Sequence, residues 1–178
     1  MIHGWGLIHG RGLIPLWTLR RKAARVVLLD PDDRVLLLEA RNPAAPATPA
    51  WWELPGGGIE GAETTAEAGA REVYEETGLR ARMGPAVWLQ HAVFDFGGYH
   101  FDQYETIHIA RCPGGEVRPA ALEALELEAF VGWQWCRPDD LAAVAATARV
   151  IPDWLPAQLP AVLAAGLPPE PIDMGELG

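Results

Sequence analysis

Residues 71–76 read Arg-Glu-Val-Tyr-Glu-Glu, which sets Glu72, Glu75 and Glu76 at i, i+3 and i+4. In a helix this spacing puts three carboxylates on one face. Such a cluster repels itself unless a cation sits among it, and hard divalent ions take oxygen ligands of this kind. Gly56-Gly57-Gly58 lies shortly upstream. Backbone amides freed by glycine, beside carboxylates able to hold a metal, suggest a site for a phosphate chain. Taken alone, three glutamates at this spacing read more readily as a solvated acidic face. The surrounding residues change that balance.

The wider stretch resembles the Nudix box, in which a glycine is followed at fixed spacing by Glu and then by Arg-Glu-aliphatic-any-Glu-Glu-any-Gly-aliphatic. Gly57, Glu63, Arg71, Glu72, Val73, Glu75, Glu76, Gly78 and Leu79 fill every specified position. At average residue usage such a match arises by chance on the order of once in 10^9 placements. The resemblance implies an α/β fold of the Nudix type, an α/β/α sandwich with a mixed β-sheet in which the box forms loop-helix-loop. It implies hydrolysis of a nucleoside diphosphate linked to another group. It also implies Glu72 and Glu76 as metal ligands, Glu75 as a ligand or near-ligand, and backbone oxygen near Gly57 as a further one. Arg71 would steady the carboxylates by charge-assisted hydrogen bonds, and Glu63 would tie the loop. The implied cofactor is Mg²⁺, with Mn²⁺ as the alternative. For the general base, a loop beyond the box is the commoner source in the family, which favours Glu128, then Glu126, with Glu105 behind; geometry must choose among them.

The elements that hold these groups are legible in outline. Ala24–Leu29 and Arg34–Glu39 flank the turn-forming Asp30-Pro31-Asp32-Asp33 and predict a hairpin. Prolines between Asn42 and Ala50 predict a loop leading into the glycines. The box helix is expected over about Thr64–Thr77, stopped by Gly78. Its wheel sets Ala66, Ala70, Val73 and Thr77 on a packing stripe, with Glu72 and Glu76 on another side. Gly69 either lets the glycine-rich loop or a ligand approach the carboxylates, or is merely tolerated. Pro85–Phe96 and Phe101–Cys112 read as paired strands around Gly97-Gly98, with Phe101, Gln103, Glu105, Ile107 and Ile109 on one face. Phe130–Cys136 is a further strand, and an alanine-rich helix follows Pro138.

With 178 residues, 49% of them hydrophobic, the chain suits one domain with trimmings. The expected division is an N-terminal arm over 1–21, flexible in character, a Nudix domain over 22–150, and a proline-rich extension over 151–178 with a short helix near Leu159–Ala164 and a disordered end. The arm carries the tandem HGWGLI-HGRGLI, too few copies for a repeat architecture. Its histidines have nothing nearby to complete a metal site. No apolar run approaches the ~18 residues of a membrane span. The net charge of −10 argues against a broad grip on nucleic acid. Cys112 and Cys136, in no ligand-like spacing, fit reduced thiols and a cytoplasmic location.

The expected activity is therefore Mg²⁺-dependent hydrolysis of the diphosphate linkage in nucleoside triphosphates or related nucleotides. An ADP-ribose or nucleotide-sugar pyrophosphatase is the alternative within enzymes, and a nucleotide-binding sensor without catalysis is the alternative outside them. Trp51, Trp52, Phe94, Phe96, Tyr99, Phe101 and Tyr104 offer base-stacking surfaces, although aromatics at strand spacing are more often core. Isopentenyl diphosphate isomerases share the fold but depend on a cysteine ahead of the box, and this chain has none before Cys112. The expected partner is a small nucleotide, with no membrane; a homodimer is left open.

Overall fold

The computed structural model describes residues 4–6 and 14–177. Its spine is β2 (Ile14–Leu29), in which Val26 to Leu29 are fully buried. A strand this apolar on both sides needs cover on both faces. Val26 and Leu28 pack with Val73 of helix α1 (Thr65–Thr77), while Val27 and Leu29 pack with Leu141 of α3 (Leu141–Ala145) and Leu155 and Leu159 of α4 (Leu155–Ala165). The result is a mixed sheet between helices.

Strand β7 (Tyr99–Arg111) runs parallel to β2 from Trp17↔Tyr99 to Leu29↔Arg111 and pairs antiparallel with β6 (Arg82–Phe96) through the Gly97-Gly98 turn. On the other side β2 changes partners along its length. It meets β3 (Val35–Ala40) only at Leu29↔Val35, then β5 (Gly56–Gly58) at Ala23–Arg25, and β1 (Gly4–Gly6) at Ile14–Leu16. Strand β3 leaves β2 to pair with β4 (Trp51–Glu53) and β8 (Phe130–Cys136). The sheet thus splits, and a cleft opens in the split with the glycines at its floor.

The Asp30–Arg34 hairpin is held by Asp30, whose buried carboxylate accepts from the backbone N–H of Asp32 and Arg34 and from the Arg34 guanidinium. Helix α1 begins at a capping box, with Thr64 and Glu67 exchanging hydrogen bonds, and ends on Gly78 at φ 72°. Its buried stripe differs from the expected one. Ala68, Gly69, Glu72, Val73, Glu76 and Thr77 face inward, whereas Ala66 and Ala70 are only half-buried. Apolarity alone misplaced the stripe because two carboxylates belong to it. A Cβ on Gly69 would lie 2.9 Å from Val26 Cγ2 and 3.0 Å from Met83 Cε. Gly69 thus serves close packing of α1 on the sheet, not access for the loop or a ligand.

The termini also differ from expectation. Strand β2 reaches back to Ile14, inside the stretch expected as an arm. His3 and His9 of the tandem repeat lie outside the described residues. At the other end α4 has eleven residues, and Ile172–Leu177 forms a strand that pairs parallel with β6 in place of the expected disorder. An unfilled sheet edge is a template for pairing, and the tail occupies it.

Candidate active site

The site is assembled where α1 crosses the glycine strand. A Cβ on Gly57 would stand 2.4 Å from Glu72 Oε1 and 2.6 Å from its Cδ, so only glycine leaves room for this carboxylate over the strand. The Gly56 N–H donates to Glu76 Oε2 at 2.8 Å. Beneath the strand Arg25 donates from Nη1 to Gly56 O at 2.8 Å and from Nε to Glu105 Oε1 at 3.2 Å. Arg71 closes the outer side. It donates to both oxygens of Glu63, to Glu72 Oε1, to Glu75 Oε2 and to Gly58 O, all between 2.8 and 3.1 Å. One guanidinium therefore ties the loop, the helix and the carboxylates into a single unit.

The electrostatics are those of a site built for a cation. Burial pushes the Glu76 carboxyl well above its usual range, against the pull of Arg25, and the Glu72 charge raises it further. Burial likewise raises Glu72 despite Arg71. Burial depresses Arg25, but Glu105, Glu53 and Glu76 more than offset this, and it stays protonated.

A third carboxylate joins from α2 (Ala124–Ala129): oxygens of Glu72, Glu76 and Glu126 lie within 4.8 Å of one another. The segment ahead of α2 is hung from the end of α1, with Arg118 N–H donating to Thr77 O and Ala120 and Ala121 N–H to Glu75 O. These bonds satisfy carbonyls that a helix C-terminus leaves open. Glu128 points elsewhere: it is exposed and does not line the cleft. Glu75 is half-buried against Arg71, beside the group of three rather than in it. Glu105 is buried and bound by Gln90, Gln103 and Arg25, so it holds Arg25 in place. The sequence reading missed Arg25. Its signal was a charge at the head of the apolar run Val26–Leu29, with Glu105 on the neighbouring strand β7 to meet it.

Could these residues hold a divalent ion? Three carboxylate oxygens in mutual reach, on carboxyls that burial raises in every case, and a strand where only glycine admits Glu72, fit a hard cation.

The cleft encloses about 1250 Å³ and runs from these carboxylates to an aromatic end. There Phe94 stacks on Phe101 at 5.1 Å, Trp51 meets Phe96 edge-on at 6.1 Å, and Tyr99 lies 6.5 Å from Phe101. Trp52 packs instead against the apolar core, and Tyr104 stacks on His91 at 4.5 Å, outside this cleft. Leu125 of α2 covers Gly97, so this short helix touches both ends of the cleft.

A loop-helix-loop carrying clustered glutamates over a glycine strand, in a split mixed sheet, defines a class. The NUDIX domain profile matches residues 19–156, and the chain belongs to the Nudix family. It is similar to the m7GpppN-mRNA hydrolase NUDT17 of Bos taurus, 29% identical over 132 residues, 68% of this chain and 43% of the relative. It therefore spans less than half the length of that protein. It is 32% identical over 145 residues to the isopentenyl-diphosphate Delta-isomerase of Leifsonia xyli subsp. xyli (strain CTCB07), 78% of this chain and 74% of the relative. A NUDIX hydrolase crystal structure from Nitrosomonas europaea shares the fold with a TM-score of 0.63 at 15% identity, covering 98% of this chain and 93% of that one. No helix among the described residues is long and apolar enough to cross a membrane.

Proposed function

We propose that this chain is a Mg²⁺-dependent hydrolase of the diphosphate linkage in nucleoside triphosphates or related nucleotides. The observation that carries the reading is the group Glu72, Glu76 and Glu126, the first two from a complete box and Glu72 seated over Gly57. Glu72 and Glu76, with backbone oxygen near Gly57, would hold the ion, and Mn²⁺ is the alternative occupant. The bound ion would supply charge neutralisation on the phosphate oxygens.

The protein's own groups do the rest. Arg71 keeps Glu72 and Glu75 oriented toward the glycine strand, and Arg25 fixes that strand from below. Glu126 takes the place assigned from sequence to Glu128: it is the proton acceptor for the attacking water. Burial, against a hydrogen bond from Glu123 N–H, raises its carboxyl above the usual range, which suits a base working near neutral pH. Glu75 anchors the Arg71 guanidinium that in turn holds Glu72. The split sheet keeps the reacting centre at the bottom of the cleft, away from bulk water.

The isomerase resemblance does not redirect this reading, because Cys112 and Cys136 are buried and neither lines the cleft. A second enzymatic reading, an ADP-ribose or nucleotide-sugar pyrophosphatase, draws on the cleft volume, above the ~300–1,000 Å³ usual for a small ligand. The sensor reading is disfavoured by the completeness of the carboxylate set. The acidic balance disfavours a long polyanion, and free buried thiols suit the cytoplasm. The test is incubation with Mg²⁺ and a panel of nucleoside triphosphates, dinucleotides and nucleotide sugars, with Glu76→Gln alongside. Cleavage that disappears in the variant supports the hydrolase, and the product pair assigns the substrate class. Binding without any cleavage would put the sensor reading first.

A further inference from the structure

One face of the β2–β7 ladder presents its side chains in a graded order. Leu19 pairs with Phe101, Arg21 with Gln103, and Ala23 with Glu105, while Gly57 and Gly58 lie across from Ala24 and Ala23 on the other edge. At about 3.3 Å per residue, Arg21 falls ~10 Å along the strand from the Gly57 position, and Leu19–Phe101 another ~7 Å beyond it. A cation thus stands between the carboxylate end and the aromatic end.

The other arginines near the carboxylates are already committed. Arg71 is shared among Glu63, Glu72 and Glu75, and Arg25 is paired with Glu105. Arg21 has no carboxylate within ion-pair reach among the described residues. Its Nε donates to the neutral Gln103 Oε1 at 2.9 Å, its guanidinium carbon lies 4.8 Å from the Phe101 ring centre, and its Nη1 would stand 2.9 Å from a Cβ on Gly58. An amide and a ring hold the fork in place, Gly58 leaves room for it, and no protein acceptor among the described residues takes its terminal N–H groups. A planar, pre-oriented cation with free donors is suited to a phosphate.

We propose that Arg21 is a specificity-determining residue that pairs with the phosphate attached to the nucleoside, while the aromatic end of the cleft takes the base. The substrate is thereby a nucleotide that keeps its nucleoside phosphate on Arg21 as the outer linkage is cut near Glu72 and Glu76. The inference rests on the nucleotide reading above, but its test needs no turnover.

The experiment is calorimetric titration with AMP, GMP, CMP and UMP, and with the matching nucleosides. Wild type, Arg21→Gln, Arg21→Lys, Gly58→Ala and Arg137→Gln are compared, each checked for folding by circular dichroism. Wild type should bind at least one monophosphate more tightly than its nucleoside. Arg21→Gln should weaken that monophosphate about 10- to 100-fold, with the nucleoside unchanged. Arg21→Lys should recover part of the loss, and Gly58→Ala, which displaces the guanidinium, should reproduce a smaller loss. Arg137→Gln, which changes an exposed arginine outside the cleft, should behave as wild type. Equal weakening of nucleoside and monophosphate in Arg21→Gln, no weakening of either, or no monophosphate binding to wild type would overturn the assignment. Loss of binding in Arg21→Gln with no cleavage of any diphosphate would instead spare Arg21 and sink the hydrolase reading.

Discussion

The glycine strand offers a graded test, and Gly57→Ala is its centre. Gly57 lacks the positive φ of Gly56, so alanine meets no backbone strain there. The new Cβ would lie 2.4 Å from Glu72 Oε1, and ordinary contact requires the carboxylate to withdraw by about 1 Å. Glu72 is a flexible side chain, so the fold should lose no more than about 1 kcal/mol. The carboxylate group would be displaced from Glu76 and Glu126, and a misplacement of ~1 Å at a reacting centre can cost about 100-fold in rate. Expected, then, is a melting temperature close to wild type without metal, together with weakened Mg²⁺ binding and about a 100-fold fall in kcat. Gly56→Ala is the contrast: its Cβ would meet Ala24 O at 2.1 Å at φ 138°, so the backbone must shift and the fold itself should suffer. Titration of Mg²⁺ and thermal melts on both variants separate the two effects. A Gly57→Ala protein with wild-type Mg²⁺ affinity and turnover would refute the claim that this glycine makes room for Glu72.

Glu126→Gln should lower kcat by about 100-fold or more with little change in melting temperature, whereas Glu128→Gln should match wild type; steady-state kinetics decide. Saturating Mg²⁺ at about 100 times its Kd should stabilise wild type by ~2.7 kcal/mol, and Glu76→Gln should lose that gain in calorimetric melts. Without metal the same variant should melt no lower than wild type, since burial already disfavours the charged form. Asp30→Asn should destabilise by about 1–3 kcal/mol in urea, as charged hydrogen bonds to the hairpin are weakened. Burial would raise the Asp30 pKa, but the Arg34 and backbone donors outweigh it and the folded value lies below the unfolded one. Its stabilisation is therefore present above the unfolded pKa and is lost as pH falls through the folded one, so the gap between wild type and Asp30→Asn should close in acid.

The sequence was most informative where local chemistry and tertiary role coincide. Thr64, Glu67 and Gly78 bound the box helix by short-range hydrogen bonds and one left-handed residue, and its expected limits match the observed ones to within a residue. The Gly97-Gly98 turn and the alternation of Phe101 to Ile109 are local in the same way, and the long β6–β7 hairpin follows them closely. Glu126 was harder. Within its own segment nothing separates it from Glu128, since both are glutamates before the same strand. The choice is made by Arg118, Ala120 and Ala121 donating to carbonyls of α1, contacts more than forty residues away in sequence. The packing stripe of α1 was right at Val73 and Thr77 and wrong at Ala66 and Ala70 for a related reason, because a hydrophobic wheel counts buried carboxylates as surface. Glu72 and Glu76 are buried only because Arg71, Arg25 and the Gly56 N–H meet them there.

Arg25 and Glu105 carry the argument one step further. Read from the sequence, Glu105 was a third choice for a base; in the fold it is a counterion whose removal would strand a half-buried arginine. Breaking one side of a fully buried pair costs ~3–5 kcal/mol, far more than the intact pair contributes, and the partial exposure of Arg25 makes that an upper bound here. The glycine strand hangs on Arg25 through Gly56 O, so the damage would reach Gly57 and the carboxylates above it. Glu105→Gln should accordingly lower stability and Mg²⁺ affinity together, a pattern opposite to that of Glu126→Gln, which should spare stability and remove turnover. Denaturant melts set beside kcat for the two variants discriminate between support and chemistry. A Glu105→Gln protein of wild-type stability that had lost only kcat would put the base back on the strand.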